Sequence, residues 1–329
     1  MKTDISSKMS RLSRTLLIAT LALAGTASVK AQNFFDNAIS YTNPTFPNVT
    51  NTINLGNASG GTTGGHRHWA IFALGGNVTI TDPTTYGTVP AGSPTSDYSA
   101  AGSADVYGNV GIVGSGILSM SKSYIDGFVD EVSSGPNTLT GNNANPYFIG
   151  SIGHNTTYLQ QGYNDAIAAS AAAKLMERTT GTVTTAVITS ALSEVGLGIT
   201  GGGQAGTTYV LNLTDLILQG TSAVLTLNGT ATTNYVFNID RYMSLAGGAK
   251  ITLAGGLTPQ NVLYNVNQNS INGVQYDVTL SGGSEARGII LATTRAVKET
   301  GDSKVYGEVI AKSVSLSGGS NVINPLVSP

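Results

Sequence analysis

A five-residue phrase, Ser/Thr-Leu-Ala/Ser-Gly-Gly, occurs four times in the last third of the chain, beginning at Ser244, Thr252, Thr279 and Ser315. Each copy sets one large apolar side chain between two small ones and closes on a glycine pair. That is the composition of a short strand that buries its leucine, exposes small side chains and then turns sharply. Self-similarity of this kind points to stacked coils. Successive copies start 8, 27 and 36 residues apart, so the stack is expected to be irregular, with loops and breaks.

Longer phrases recur as well. Val236-Phe237-Asn238-Ile239 returns as Leu263-Tyr264-Asn265-Val266, shifted by the same 27 residues that separate Thr252 from Thr279. Asn238 and Asn265 hold equivalent places, and a buried amide must find partners, so the two are expected to stack on neighbouring coils. Val106-Tyr107-Gly108-Asn109-Val110 returns as Val305-Tyr306-Gly307-Glu308-Val309, with a looser copy at Ile125-Asp126-Gly127-Phe128-Val129. Coils are therefore expected on both sides of the middle of the chain.

The N-terminus has the layout of an export signal. Lys2, Lys8, Arg11 and Arg14 precede an apolar run from Leu16 to Ala24, and Val29-Lys30-Ala31 offers small residues for cleavage before Gln32. The run is too short to serve as a membrane anchor, so residues 1–31 are expected to be removed. What remains has 11 basic and 17 acidic residues, which argues against nucleic acid or an anionic membrane as a partner. Only 10% of the residues are charged, against roughly 25% in ordinary globular proteins. With 40% hydrophobic residues, the chain is nevertheless expected to fold around a core. It contains no cysteine, which excludes disulfides and thiolate metal sites and leaves stability to packing. A secreted or cell-surface monomer is expected, with no membrane insertion after cleavage.

Residues 32–67 are polar and rich in Pro and Gly, and are expected to form an extended leader or cap with little regular structure. From residue 68 to 324 the pattern is strand-like, and 325–329 form a tail. One stretch, 155–178, breaks the period: Leu159, Tyr163, Ala166, Ile167, Ser170, Ala171 and Leu175 recur at helical spacing. Thr157 and Gln160 suggest a capping box, and Gly181 a terminator. The spacing predicts a helix covering one side of the coil core, with a shorter helix at Thr185–Glu194 as a further possibility.

Seven segments, taken in order, resemble a known family. They are Ala70-Ile71-Phe72-Ala73-Leu74-Gly75-Gly76; Tyr107-Gly108-Asn109-Val110-Gly111-Ile112; then, after the helix, Leu211-Asn212-Leu213-Thr214; Val236–Ile239; Asn261–Val266; Arg287–Ala292; and Val309-Ile310-Ala311. The order resembles the ice-binding-like adhesive domains of bacteria and the related exported domains with a variable choice of surface anchor, over roughly residues 68–324. The resemblance implies an all-β-dominated fold, a discontinuous right-handed β-solenoid of triangular section with one long α-helix packed alongside. It also implies that ice-binding members present a flat face rich in Thr and small residues, while many relatives act as adhesins or matrix components.

In each glycine-pair phrase the leucine is expected to point inward and Ser244, Thr252, Thr279 and Ser315 outward. Stacked in register, they would form one uncharged binding stripe able to meet a solid surface or an extended polymer (polysaccharide, matrix protein or ice) without desolvating ions. Because no long Thr-x-Thr ladder recurs at fixed spacing, the leading expectation is an exported adhesin-like or extracellular-matrix protein. Ice binding, antifreeze or recrystallisation-inhibiting, is the first alternative and a polysaccharide-active β-helix enzyme the second. Asp126, Asp130 and Glu131, Asp277 with Glu285 and Arg287, and Asp302 with Lys304 are the acids an enzyme could use. None recurs at a coil offset, so no catalytic residue is assigned. His66 and His68 flank Arg67 before Trp69, too few ligands for a metal site, and no cofactor is expected.

Overall fold

The computed structural model describes residues 69–81, 104–121, 123–132, 137, 153–154, 156–157, 159–176, 185–199, 203–267, 274 and 276–324, together with the backbone alone at 38–42, 50–54, 138–140, 147–148, 152 and 158. The expected signal peptide, the 66–68 segment, Gly181 and the 325–329 tail lie outside the described residues. Within the leader, β1 (Ala38–Thr42) and β2 (Thr50–Asn54) pair antiparallel, where little regular structure was expected.

From Trp69 onward the strands wind as a β-solenoid. In the first half, β3 (Trp69–Ala73), β4 (Val78–Thr81) and β5 (Asp105–Tyr107) pair in parallel with β6 (Asn109–Ile112), β7 (Leu118–Ser121) and β8 (Tyr124–Asp126). These continue into β9 (Val129–Glu131), β10 (Thr138–Thr140) and β11 (Tyr147–Phe148), and β12 (Ile152–Gly153) closes on β9. Pairing three strands ahead means three sides per coil, here called A, B and C in chain order. The second half keeps that order. β13 (Thr185–Ile188) lies on side B and β14 (Leu192–Ser193) on side C. β15 (Thr208–Gln219) and β17 (Asn234–Ala246) each turn from side A to side B, while β16 (Val224–Asn228) and β18 (Lys250–Ala254) form side C. β19 (Val262–Val266) and β20 (Val278–Ser281) follow on sides A and B. β21 (Glu285–Thr300) and β22 (Lys304–Ser317) each run round C, A and B, and β23 (Asn321–Ile323) ends on side C.

The chain order is not the stacking order. β22 pairs with β3 and β4, and β23 with β5, so the last coil hands over to the first. Asn324 seals the junction, donating its side-chain amide to the Trp69 carbonyl at 2.8 Å and its backbone N–H to the Tyr107 carbonyl at 2.9 Å. The recurring Val-Tyr-Gly phrase marks this stack: Val305 pairs with Val322, Val322 with Val106 and Val106 with Ile125. Gly108 and Gly307 take φ of 131° and 148° at the same corner, and a Cβ on Gly307 would lie 2.0 Å from the Gly288 carbonyl oxygen. The corner therefore requires glycine.

On sides B and C alternation buries one residue in two, whereas the side-A strands β3, β6 and β19 are buried throughout. Val78, Ile80, Leu118, Met120, Leu245, Leu280 and Leu316 fill the side-B wall of the core, and Tyr209, Tyr235, Phe237 and Tyr264 form a ring stack through its middle. Tyr235 and Tyr264 end on backbone carbonyls of Asn228 (2.6 Å) and Arg287 (3.1 Å), which satisfies their hydroxyls in an apolar setting.

The helix α1 (Thr156–Lys174) is where the periodicity predicts it. About 28 Å long at ~1.5 Å per residue, it passes roughly six coils of ~4.8 Å each. It covers side A, burying Leu159, Ala166, Ala169, Ala173 and Met176 against Val210, Val236, Leu263, Ile289, Leu291, Ile310 and Phe72. The predicted stripe is partly rotated: Ile167 is 38% and Leu175 78% exposed, and Ala171 is exposed. Alanine lies on several sides of this helix, so hydrophobic spacing alone does not choose the buried one. Polar contacts do. Asn238 and Asn265 stack as expected, with Asn265 donating to Asn238 at 2.8 Å, and Asn212 extends the pair into a ladder by accepting from Asn238 at 3.0 Å. Their second N–H groups bond the carbonyls of Ser170 (3.0 Å) and Ala173 (2.7 Å), and the Ser170 hydroxyl donates to Asn265 Oδ1 at 2.7 Å. Thr157 lies inside the helix rather than at its cap. The second helix expected at Thr185–Glu194 is instead β13 and β14, followed by one turn of 3₁₀ helix at Glu194–Leu197. Thr185 and Val187 alternate outward against Ala186 and Ile188, as a strand on the solenoid edge requires.

Candidate functional site

Side A is covered by the helix, so a surface partner must meet side B or side C. The two differ in chemistry because the same alternating backbone carries different outward residues.

On side C the outward residues are mixed: Thr226, Thr252 and Ala254 on β16 and β18 give way to charged and large ones from Lys250 and Glu285 onward. Lys250 pairs in register with Glu285, and Glu285 with Lys304. The Lys250 ammonium lies 2.7 Å from the Glu285 carboxylate. Beside them, Arg287 sits over the Tyr306 ring at 4.4 Å, and Ile323, Tyr107 and Asp126 continue that column. Burial, followed by the charges of Asp105 and Asp126, pushes the Tyr107 hydroxyl up to about 12.

On side B, alternation brings hydroxyls outward. Thr279 follows Ser244 in register, with a 3.0 Å hydrogen bond from Thr279 to Ser244. The column then runs Lys298, Ser315, Thr79 and Ser119. A second column two residues along each strand runs Ser281, Thr300, Ser317, Thr81 and Ser121 without interruption. Spacing is about 4.8 Å between coils and ~6.6 Å along the strands. The net thus belongs to both halves of the chain. It ends at β15 and β13, where Ile217 and Val187 continue the first column.

Three of the four residues singled out from the glycine-pair phrases, Ser244, Thr279 and Ser315, share the first column. The fourth does not. Thr252 lies on β18, on side C, with its hydroxyl 3.0 Å from that of Thr226 on β16. The phrases close two different corners: Gly247, Gly282 and Gly318 lie at the B-to-C turn, whereas Gly255 lies at the C-to-A turn, where the Gly229 N–H donates to the Ala254 carbonyl at 3.1 Å. Thr79, Thr81, Ser119 and Ser121 were missed. Their signal is present in Val78-Thr79-Ile80-Thr81 and Leu118-Ser119-Met120-Ser121, which repeat the alternation of Val314-Ser315-Leu316-Ser317 without a glycine pair to mark it.

The edge of side B toward side A is ionic and aromatic. Arg241 grips Asp215 through two bonds of 2.8 and 2.6 Å, and the hydrogen bond from Arg241 holds the Asp215 carboxyl below its usual range against the opposing effect of burial. Tyr242 packs on Tyr276 at 4.4 Å, and Lys298 reaches Asp277 at 2.7 Å. Of the acids an enzyme could use, Asp130 and Glu131 are buried at the A-side strand β9, Glu285 is paired with Lys250, and Asp302 occupies a turn with φ 62°. Asp126 stands in the side-C column and Asp277 is paired with Lys298. Trp69 is buried in β3 and meets Phe72 edge-on at 5.3 Å, so it packs on the first coil. Among the described residues no helix is long and apolar enough to cross a membrane.

The family model described as Ice-binding-like matches residues 94–324, well over half of the chain. The chain belongs to the ice-binding-like family. An ice-binding protein from Flammulina populicola is 36% identical over 104 residues, which are 32% of this chain and 38% of that relative. The match thus spans little more than a third of the relative's length. Among solved structures, the ice-binding protein of an Arctic yeast is 20% identical, covers 79% of this chain and 92% of its own, and has a TM-score of 0.45. That of the Antarctic ascomycete Antarctomyces psychrotrophicus is 16% identical, covers 79% and 95%, and has a TM-score of 0.42. These matches overturn the expectation of an adhesin-like or matrix protein, since the family description and the curated relative's name both refer to ice binding. A sequence without long Thr-x-Thr ladders can still build one across its coils. One step along the stack takes 35 residues from Ser244 to Thr279 but 17 from Ser303 to Ser320, so a regular ladder in space has no fixed period in sequence.

Proposed function

We propose that this ice-binding-like protein acts as an exported, non-catalytic ice-binding protein through side B. The observation that carries the reading is the pair of hydroxyl columns running in register across both halves of the solenoid. A crystalline solid presents the same groups at fixed intervals, so only a periodic surface can match it over many contacts at once. Small Ser and Thr side chains supply methyls and hydroxyls with little rotamer entropy to lose. An ionic surface would have to shed tightly held water, which is costly, and that disfavours side C. Family membership supports ice as the solid, and the signal-like N-terminus supports export.

The test is thermal hysteresis and inhibition of ice recrystallisation by the purified protein. Thr79→Tyr combined with Ser317→Tyr raises two rings above the net while leaving the inward Ile80 and Leu316 in place. Activity should fall at least tenfold with an unchanged melting temperature, while Thr252→Tyr on side C keeps full activity. A parent protein without hysteresis, or a double variant as active as the parent, would refute the reading.

A further inference from the structure

We infer that Asp277 is a positioning residue that holds the Lys298 ammonium off the hydroxyl net and so keeps side B fit for ice; this rests on the ice-binding reading above. Lys298 is the one charged residue in the two columns, placed between Thr279 and Ser315. An ammonium on its four-carbon stem keeps a strong hydration shell and, extended outward, would stand above the short Ser and Thr side chains around it. In the structure it does not stand alone. Its Nζ lies 2.7 Å from Asp277 Oδ2, and Asp277 precedes β20 by one residue, on the edge of side B away from the second column. The register of Val278 with Val297 sets Asp277 beside Ala296, whose methyl leaves room for the lysine stem to lie diagonally across the coil. The charge is thereby neutralised and drawn toward the ionic edge that already holds Arg241 and Asp215.

Lys298 remains 54% and Asp277 25% exposed. Exposed pairs of this kind are weak, so the carboxylate shifts where the ammonium spends its time without locking it. That predicts graded effects. Thermal hysteresis should be compared for the parent, Asp277→Asn, Lys298→Thr and the double variant, at equal concentration and after matching their thermal unfolding. Asp277→Asn should lower activity several-fold. Lys298→Thr should match or exceed the parent, and adding Asp277→Asn to it should change nothing, because no ammonium is left to position. An equal loss from Asp277→Asn in both backgrounds, or no loss with the lysine present, overturns the inference. The Thr79→Tyr, Ser317→Tyr variant is measured alongside: if it too keeps full activity, the side-B reading falls and this inference with it, whereas its loss of activity with an indifferent Asp277→Asn removes the inference alone.

Discussion

Glu299 is a carboxyl built into an apolar column. It pairs in register with Leu280 on one coil and Leu316 on the next, is fully buried, and neither carboxyl oxygen has a hydrogen-bond partner. Burial pushes its pKa well above the usual carboxylate range. In the unfolded chain it titrates near ~4.3, so between that pH and the folded value the folded state holds one more proton than the unfolded. Its contribution is complete only below the unfolded value, and stability falls as pH rises, by about 1.4 kcal/mol per pH unit, until the folded pKa is passed. Glu299→Gln should flatten this loss and unfold at a higher temperature than the parent at pH 8, with little difference near pH 4.5; parallel melting curves across that range would show that the side chain reaches solvent. Thr252 and Thr279 make the complementary point. They occupy the same place in one repeated phrase, yet Thr279→Lys should cut thermal hysteresis sharply and Thr252→Lys should leave it intact, because stacking register, which the phrase does not contain, sends them to different sides. The inward leucines of those phrases were legible residue by residue, since alternation is local. The side each outward residue joins depends on how many residues the intervening loops consume.

The helix shows the same division at the level of an element. Its existence and extent are legible because 19 residues without glycine-pair or strand alternation interrupt a β pattern. Its rotation is not, because alanines offer several equivalent faces and the choice falls to Asn238 and Asn265, which hold the Ser170 and Ala173 carbonyls from neighbouring coils. Ala173 lies in the last turn, where its carbonyl accepts one bond from the Met176 N–H at 3.1 Å and a second from the Asn238 amide at 2.7 Å, so the amide ladder also helps to close the helix end. Ile167→Asp should therefore cost little, whereas Ala166→Asp, one residue away and fully buried among the side-A residues, should destabilise by several kcal/mol. Chemical denaturation of the two variants checks this directly, and equal losses would mean that the helix sits differently on side A. Asn265→Leu is expected to cost about 1–3 kcal/mol by stranding the partners of its amide, despite replacing polar with apolar surface in the interior.

At the scale of the molecule, the hydroxyl net exists because the last coil stacks on the first. Ser317 is followed across the coils by Thr81, so the columns cross from the C-terminal half to the N-terminal half at β22 and β4, and α1 returns the chain along side A to the far end of the stack. The recurrence of Val106-Tyr107-Gly108 as Val305-Tyr306-Gly307 was the sequence trace of that join, but nothing local shows that the two copies lie two coils apart rather than in separate stacks. The arrangement makes a firm prediction about connectivity. In β22, side C runs straight into side A through Tyr306-Gly307-Glu308, and Ile323 is in register with Tyr306 while Ile71 is in register with Val309. Asn324 thus stands where Gly307 stands one coil earlier, within hydrogen-bond distance of the Trp69 carbonyl. A permuted chain that begins at Thr185, runs to Asn324, joins Trp69 through about one or two added residues and ends at Met176 would follow the stacking order continuously, with α1 as a C-terminal strap. Permutation is tolerated where new ends fall outside packed structure and the joined ends are close. The permuted protein should unfold in one cooperative transition and keep the thermal hysteresis of a parent trimmed to residues 69–324, since every rung of side B is retained. Two separate transitions, or a folded permutant that has lost ice activity, would show that the two halves do not form one continuous net.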